Sequence, residues 1–300
     1  MILISEPLTP SSTIVLINLV ETQQGVSKML RAQSKLTSGT LQSALIAGDP
    51  DAAHIDLSTA NFVDPAGLVA VAALSDRAMR NGQQVTIEKP NDKNVQNYCS
   101  RMRLSHHLDG LLIGHDLPSV NETPHPTELL ELTPFSSQFD GEKLAALVYE
   151  KASARSGPEV PTLIHEAICE LASNVETHAQ VTRGFAAAQT YSFDTGETIV
   201  FAIADGGIGV LESLRQHYGP KNAAEALEIA VRYGTSGTGE RGRGSGLHDV
   251  MVAIADLKGQ FTVMSGNAKL VVKNKDYINA VEMPCVYPGT LIEGKLSCHP

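Results

Sequence analysis

The chain has 300 residues, 42 % of them apolar and 19 % charged. That mixture can bury a sizeable core, and it excludes a long disordered tract, a collagen repeat and a coiled-coil rod. A net charge of −10, acidic in both halves, excludes a basic nucleic-acid-binding module.

The first predicted element is a strand over residues 13–20 (TIVLINLV), short and β-branched without a breaker. Residues 26–47 are expected to be helical and to end at Gly48-Asp49-Pro50, a turn signal. Residues 54–58 (HIDLS) form a second strand, and 61–67 (NFVDPAG) a turn. A helix over 68–80, rich in Ala and Leu, closes at Asn81-Gly82. A third strand at 84–88 (QVTIE) and a helix over 91–103 complete an α/β pattern.

Four prolines (Pro118, Pro124, Pro126, Pro134) fall close together, each disfavouring a helix just before it. They place a linker at 116–134 between an α/β domain at 1–115 and a second domain at 135–300. Cys99, Cys169, Cys285 and Cys298 contain no C-x-x-C pair, the usage of free thiols in a reducing compartment. The opening MILISEPLTP lacks the basic start of a signal peptide, and no apolar run nears the roughly 20 residues of a membrane helix. A cytoplasmic protein with no membrane partner is expected.

The order IDLS…FVDPAGL…R.NGQQVTI over roughly 54–104 resembles the STAS domain of anti-sigma-factor antagonists. That family carries a phosphoacceptor Ser or Thr after the loop Asp. Here Asp64 is followed by Pro65 and Ala66, and neither has a hydroxyl. The resemblance therefore implies a STAS-like domain without a phospho-switch at that position.

The second domain carries the chemistry. Residues 161–180 (PTLIHEAICELASNVETHAQ) read as a helix with Leu163, Ile164, Ala167, Ile168, Leu171, Ala172 and Val175 as its core stripe. Glu170, Asn174 and His178 follow at i, i+4 and i+8 and drift only about 80° around the axis. A carboxylate beside an amide suits a cation and an activated water, though a solvated polar face has the same spacing. Residues 198–210 (TIVFAIADGGIGV) are an apolar run ending in Asp205-Gly-Gly-Ile-Gly209. A carboxylate at the end of a buried strand can accept from a base's exocyclic amine, and the glycines let a flat ring approach. Six glycines fall between Gly234 and Gly246, ahead of a helix over about 247–258 stopped by Gly259. Such a run makes an anion cradle at a helix N-terminus, helped by Arg241 and Arg243. No G-K-[ST] follows, which excludes a P-loop, and G-R-G-S-G fails the Rossmann spacing. H-E-A-I-C lacks the second His of a zinc-protease helix.

In this order the three motifs resemble the GHKL (Bergerat-fold) ATPase family, which includes histidine kinases and gyrase-type ATPases. The chain's spacing is closest to the anti-sigma-factor serine kinases. Glu170-LASN174 matches the N box, Asp205-GGIG209 the first glycine box and Gly242-RGSGL247 the second. Gly289-Thr290 falls in the closing strand. The resemblance implies an α/β (α+β) sandwich over about 135–300 that binds ATP with Mg²⁺. Asn174 would hold the Mg²⁺ and Glu170 would be the general base. Asp205 would bind the adenine amine with support from Thr290, and Gly207 and Gly209 would shape its pocket. Gly242, Gly244, Ser245, Gly246 and Leu247 would line the phosphates, with 234–245 as a lid and His178 nearby.

Three functions are consistent with this. One is a Mg-dependent ATPase switch coupled to the STAS-like domain. The second is a protein Ser/Thr kinase acting on a separate protein. The third is an ATP-gated binding module without turnover. ATP and a protein partner are the expected partners, and a homodimer stays open.

Overall fold

The computed structural model describes residues 30–46, 53–120, 128–194, 196–232, 246–273 and 280–299. The strand expected at 13–20, the turn at Gly48-Asp49-Pro50, Pro124, Pro126 and the glycine-rich run 234–245 lie outside these residues.

The apolar run before Asp205 builds the centre of a five-stranded antiparallel sheet. The strands are β6 (Glu128–Phe135), β7 (Gly184–Phe193), β8 (Gly196–Asp205), β9 (Gln260–Lys273) and β10 (Ala280–Ser297). Their order is β6-β7-β8-β10-β9. Antiparallel strands with one wet face alternate apolar and polar residues; β8 does not, because both its faces are covered. Phe201 and Ile203 point into one buried cluster, and Ala202 and Ala204 into another on the opposite face. The same split divides Ala186 and Ala188 from Phe185 and Ala187 on β7.

The inner face carries α5 (Gln138–Ser153), α6 (Glu159–His178), α8 (Ala223–Ala230) and α9 (Gly246–Asp256), with α7 (Gly209–Tyr218) following β8. In α6 every residue of the expected apolar stripe is buried. Pro161 sits within its first turn, where a missing N–H costs nothing.

The outer face is covered by the N-terminal residues. Short parallel strands β1 (Leu30–Arg31), β3 (His54–Asp56) and β5 (Thr86–Glu88) form one sheet, and β2 (Lys35–Leu36) pairs with β4 (Phe62–Val63). Four helices accompany them: α1 (Leu41–Ile46), α2 (Pro65–Arg80), α3 (Lys93–Arg101) and α4 (Leu104–Gly110). Helix α2 packs against β7, β8 and β10 and is buried from Pro65 through Asp76. Its alanines (Ala66, Ala70, Ala72, Ala73) meet the small residues of β7 and β8, which lets the helix approach closely. One buried cluster runs from Leu30 through α2 to Met264, Met283, Tyr287 and Leu291. The sequence division at 116–134 therefore does not divide the core.

Three expectations about elements are corrected. Residues 30–46 are two short strands and one helix of six residues, not one long helix. Thr37, Ser38 and Gly39 turn the chain instead, with the Thr37 N–H donating to Thr40 Oγ1 at 3.0 Å. The turn at 61–67 contains β4 and the first turn of α2. Asp64 caps that helix by accepting from the Gly67 N–H at 3.0 Å, and Pro65 is its first residue. Residues 128–134, read as linker, belong to β6. Pro134 is tolerated there because β6 is an edge strand.

The outer interface also buries charge. Glu293 is fully buried, accepts from Ser38 Oγ at 2.5 Å and pairs with Lys295 Nζ at 3.0 Å. Burial and the nearby Glu293 push the Asp64 carboxyl up to about 7. Among the described residues, all four cysteines are free and no helix is long and apolar enough to cross a membrane.

Candidate active site

Motifs from four separate stretches of sequence line one cavity of about 800 Å³ on the inner side of the sheet. Helix α6 supplies Glu170, Asn174 and His178, the end of β8 supplies Asp205, and α7 begins the next wall at Gly209. Gly246 and Leu247 open α9, and Thr290 comes from β10. Antiparallel register sets Thr290 directly opposite Asp205.

The α6 side is a carboxylate–amide pair. Asn174 Nδ2 donates to Glu170 Oε1 at 3.3 Å, which leaves the amide oxygen for a cation or a water. Burial raises the Glu170 carboxyl, and Asp249 on α9 raises it further against the pull of the Asn174 hydrogen bond. Gly246 makes this packing possible: a Cβ there would fall 1.8 Å from the Glu170 carboxyl carbon. Burial lowers the His178 ring, so it favours the neutral form.

The opposite end is built around Asp205, which is 4 % exposed. Its Oδ1 accepts from the Gly207 N–H at 2.7 Å. Burial pushes the carboxyl up to about 6, while the Gly207 and Thr290 amides and the charges of Arg80 and Arg77 pull it back. The chain then turns at Gly209, whose φ of +77° and closeness to Ser265 Oγ exclude a side chain. Gly207 does not line the cavity; it holds the carboxylate from behind.

Two participants were not singled out in the sequence. Ser265 is buried on β9, accepts from the Val210 N–H at 2.9 Å and donates to the Gly289 carbonyl at 2.7 Å. It fastens the start of α7 to the strand that carries Thr290. A lone Ser in an apolar strand was its only sequence signal. Asp249 follows Gly246 by three residues, one turn along α9, a spacing that could have marked it. Gly242, Gly244 and Ser245 lie outside the described residues, as do Arg241 and Arg243.

The described wall contains Glu166, Glu170, Asp205 and Asp249 and no Lys or Arg. Among the described residues, no group of three His, Cys, Asp or Glu side chains could hold a metal. The oxygen donors here, the Asn174 amide with the Glu170 and Asp249 carboxylates near it, fit a Mg²⁺ whose remaining positions would go to ligand oxygens and water. Such a wall offers a carboxylate acceptor for an amine at one end and a base beside an amide at the other. Compared with protein-family models, curated proteins and solved structures, the chain matches none.

Proposed function

We propose that the chain binds Mg·ATP in this cavity and hydrolyses it as a nucleotide-controlled switch. The observation that carries the proposal is the convergence of Glu170, Asn174, Asp205, Gly246 and Thr290 on one wall. These residues are the ones that the GHKL resemblance assigns to a single ligand. Asp205 accepts from the adenine amine, and Thr290 stands opposite it in register. The Asn174 oxygen would help hold a Mg²⁺, which would offset the phosphate charge that an acidic wall repels.

Glu170 is the base. Its burial raises its basicity, and its bond to Asn174 fixes the carboxylate beside the start of α9. Water attacks the γ-phosphorus, its proton passes to Glu170, and the bond to the β-phosphate oxygen breaks to leave ADP and phosphate. Coupling to the N-terminal residues runs through α2, which packs on the far side of the strand that ends in Asp205.

The test is ADP release from the purified protein with Mg·ATP. Glu170→Gln should lower turnover by roughly 10²–10⁴-fold while ATP still binds. Equal turnover in both proteins would remove Glu170 from the mechanism. ATP binding without turnover in the wild type would instead favour a protein kinase or an ATP-gated binder, and transfer of labelled γ-phosphate to a protein would separate those two.

A further inference from the structure

The Asp205 end of the cavity is held from outside the cavity. Arg77 Nη1, on α2, donates to the carbonyls of Gly206 and Gly207 at 3.1 and 3.3 Å. Arg80 Nη2, one turn further along, donates to the Gly206 carbonyl at 2.9 Å. Gly207 gives its N–H to Asp205 Oδ1, so both sides of the Gly206–Gly207 peptide plane are pinned: its carbonyl by two guanidiniums, its amide by a carboxylate. Gly206 leaves no slack, since a Cβ there would lie 2.8 Å from the Ala73 carbonyl of α2. Arg80 is itself fixed: Asp76 Oδ2 accepts from its Nε at 2.9 Å, and Asp76 Oδ1 lies 3.3 Å from Nε of Arg183, the residue before β7. Asp76 is almost wholly buried, and a buried carboxylate between two guanidiniums is a stiff anchor.

We infer that Arg77 and Arg80 are positioning residues for base recognition: from the back of the sheet they fix the Gly206–Gly207 turn and, through it, the carboxylate that reads the base amine. The inference rests on the nucleotide reading of the cavity. It gives the N-terminal residues a definite part in that site, since whatever moves α2 changes the aim of Asp205. Neither arginine touches the ligand. Their effect is therefore selective for the interaction Asp205 makes and spares those made by the phosphates.

The experiment is calorimetric titration of the full chain with Mg·ATP and with Mg·ITP, which carries a carbonyl in place of the amine. The wild type should prefer ATP. Arg77→Met together with Arg80→Met keeps most of the aliphatic stem and removes the donors. It should weaken ATP roughly tenfold and leave ITP unchanged, which is the loss of one or two hydrogen bonds to charged groups. Arg77→Lys with Arg80→Lys should recover part of the preference. Should the double variant not fold, Arg80→Met alone, at the exposed end of α2, should give a smaller loss of the same selectivity. An unchanged ATP:ITP ratio, or an equal loss for both nucleotides, overturns the inference, because a purely structural role would lower both alike. A wild type that binds both equally also overturns it. A wild type that binds neither overturns the nucleotide reading and the inference with it.

Discussion

The two faces of the five-stranded sheet use the same strands for opposite ends. On the inner face, β8 and β10 end in Asp205 and Thr290 and open onto a cavity lined with polar groups. On the outer face, the alternate residues of those strands pack dry against α2, and the carboxyls there are paired or capped rather than presented. A strand alternates its side chains with period two, so one face can be committed to packing while the other stays free for a ligand. The N-terminal residues thus pack behind the strands that end at the cavity without lining it.

The largest effect should come from cutting into the outer face. Leu74 of α2 is fully buried in the shared cluster, and Leu74→Ala should lower stability by about 2–5 kcal/mol. Urea unfolding followed by circular dichroism should remain a single transition, because the cluster joins α2 to β10. Two separate transitions would break the comparison and restore independent halves.

On the inner face, Asp205→Asn keeps the shape but places an amide donor among donors. ATP affinity should fall roughly 100-fold with little change in melting temperature. Retained affinity in titration calorimetry would mean that this end of the cavity does not read the base.

The smallest effect sharpens the outer face. Asp64 has its carboxyl pushed from the ordinary 3.8 to about 7. The folded protein therefore holds a proton that the unfolded chain releases between about pH 4 and 7. Stability from this group is complete below about pH 4 and is lost as pH rises through about 7. Asn caps a helix as well as Asp does. Asp64→Asn should remove this slope, gaining at least about 1 kcal/mol over the wild type at pH 7 and converging with it near pH 4. A slope that survives the substitution would assign it to another group.

Local patterns in the sequence singled out Glu170, Asn174, His178, Asp205 and Gly246, which border one cavity. Glu170 and Asn174 are one turn apart, so helix geometry alone makes them neighbours. Asp205 ends an apolar run that had to be a strand covered on both sides. What local pattern could not supply is pairing across the chain. Arg77 and Gly206 are 129 residues apart, and on α2 the arginine looks like any basic residue near a helix C-terminus. The misread segments have physical causes as well. Leu30 and Leu36 lie on two separate short strands and are buried by tertiary contacts that no local pattern encodes, and Pro134 signals a break only for a strand with neighbours on both sides.

The unbroken apolar run of β8 has a further consequence for how the chain can be dissected. A fragment starting at Glu128 would keep every described cavity residue, yet it would leave Phe185, Met264, Met283, Tyr287 and Leu291 facing water. A contiguous apolar sheet face of that kind drives self-association. The part of the chain that carries the cavity is therefore not separable as a well-behaved piece: its solubility depends on the residues that precede it.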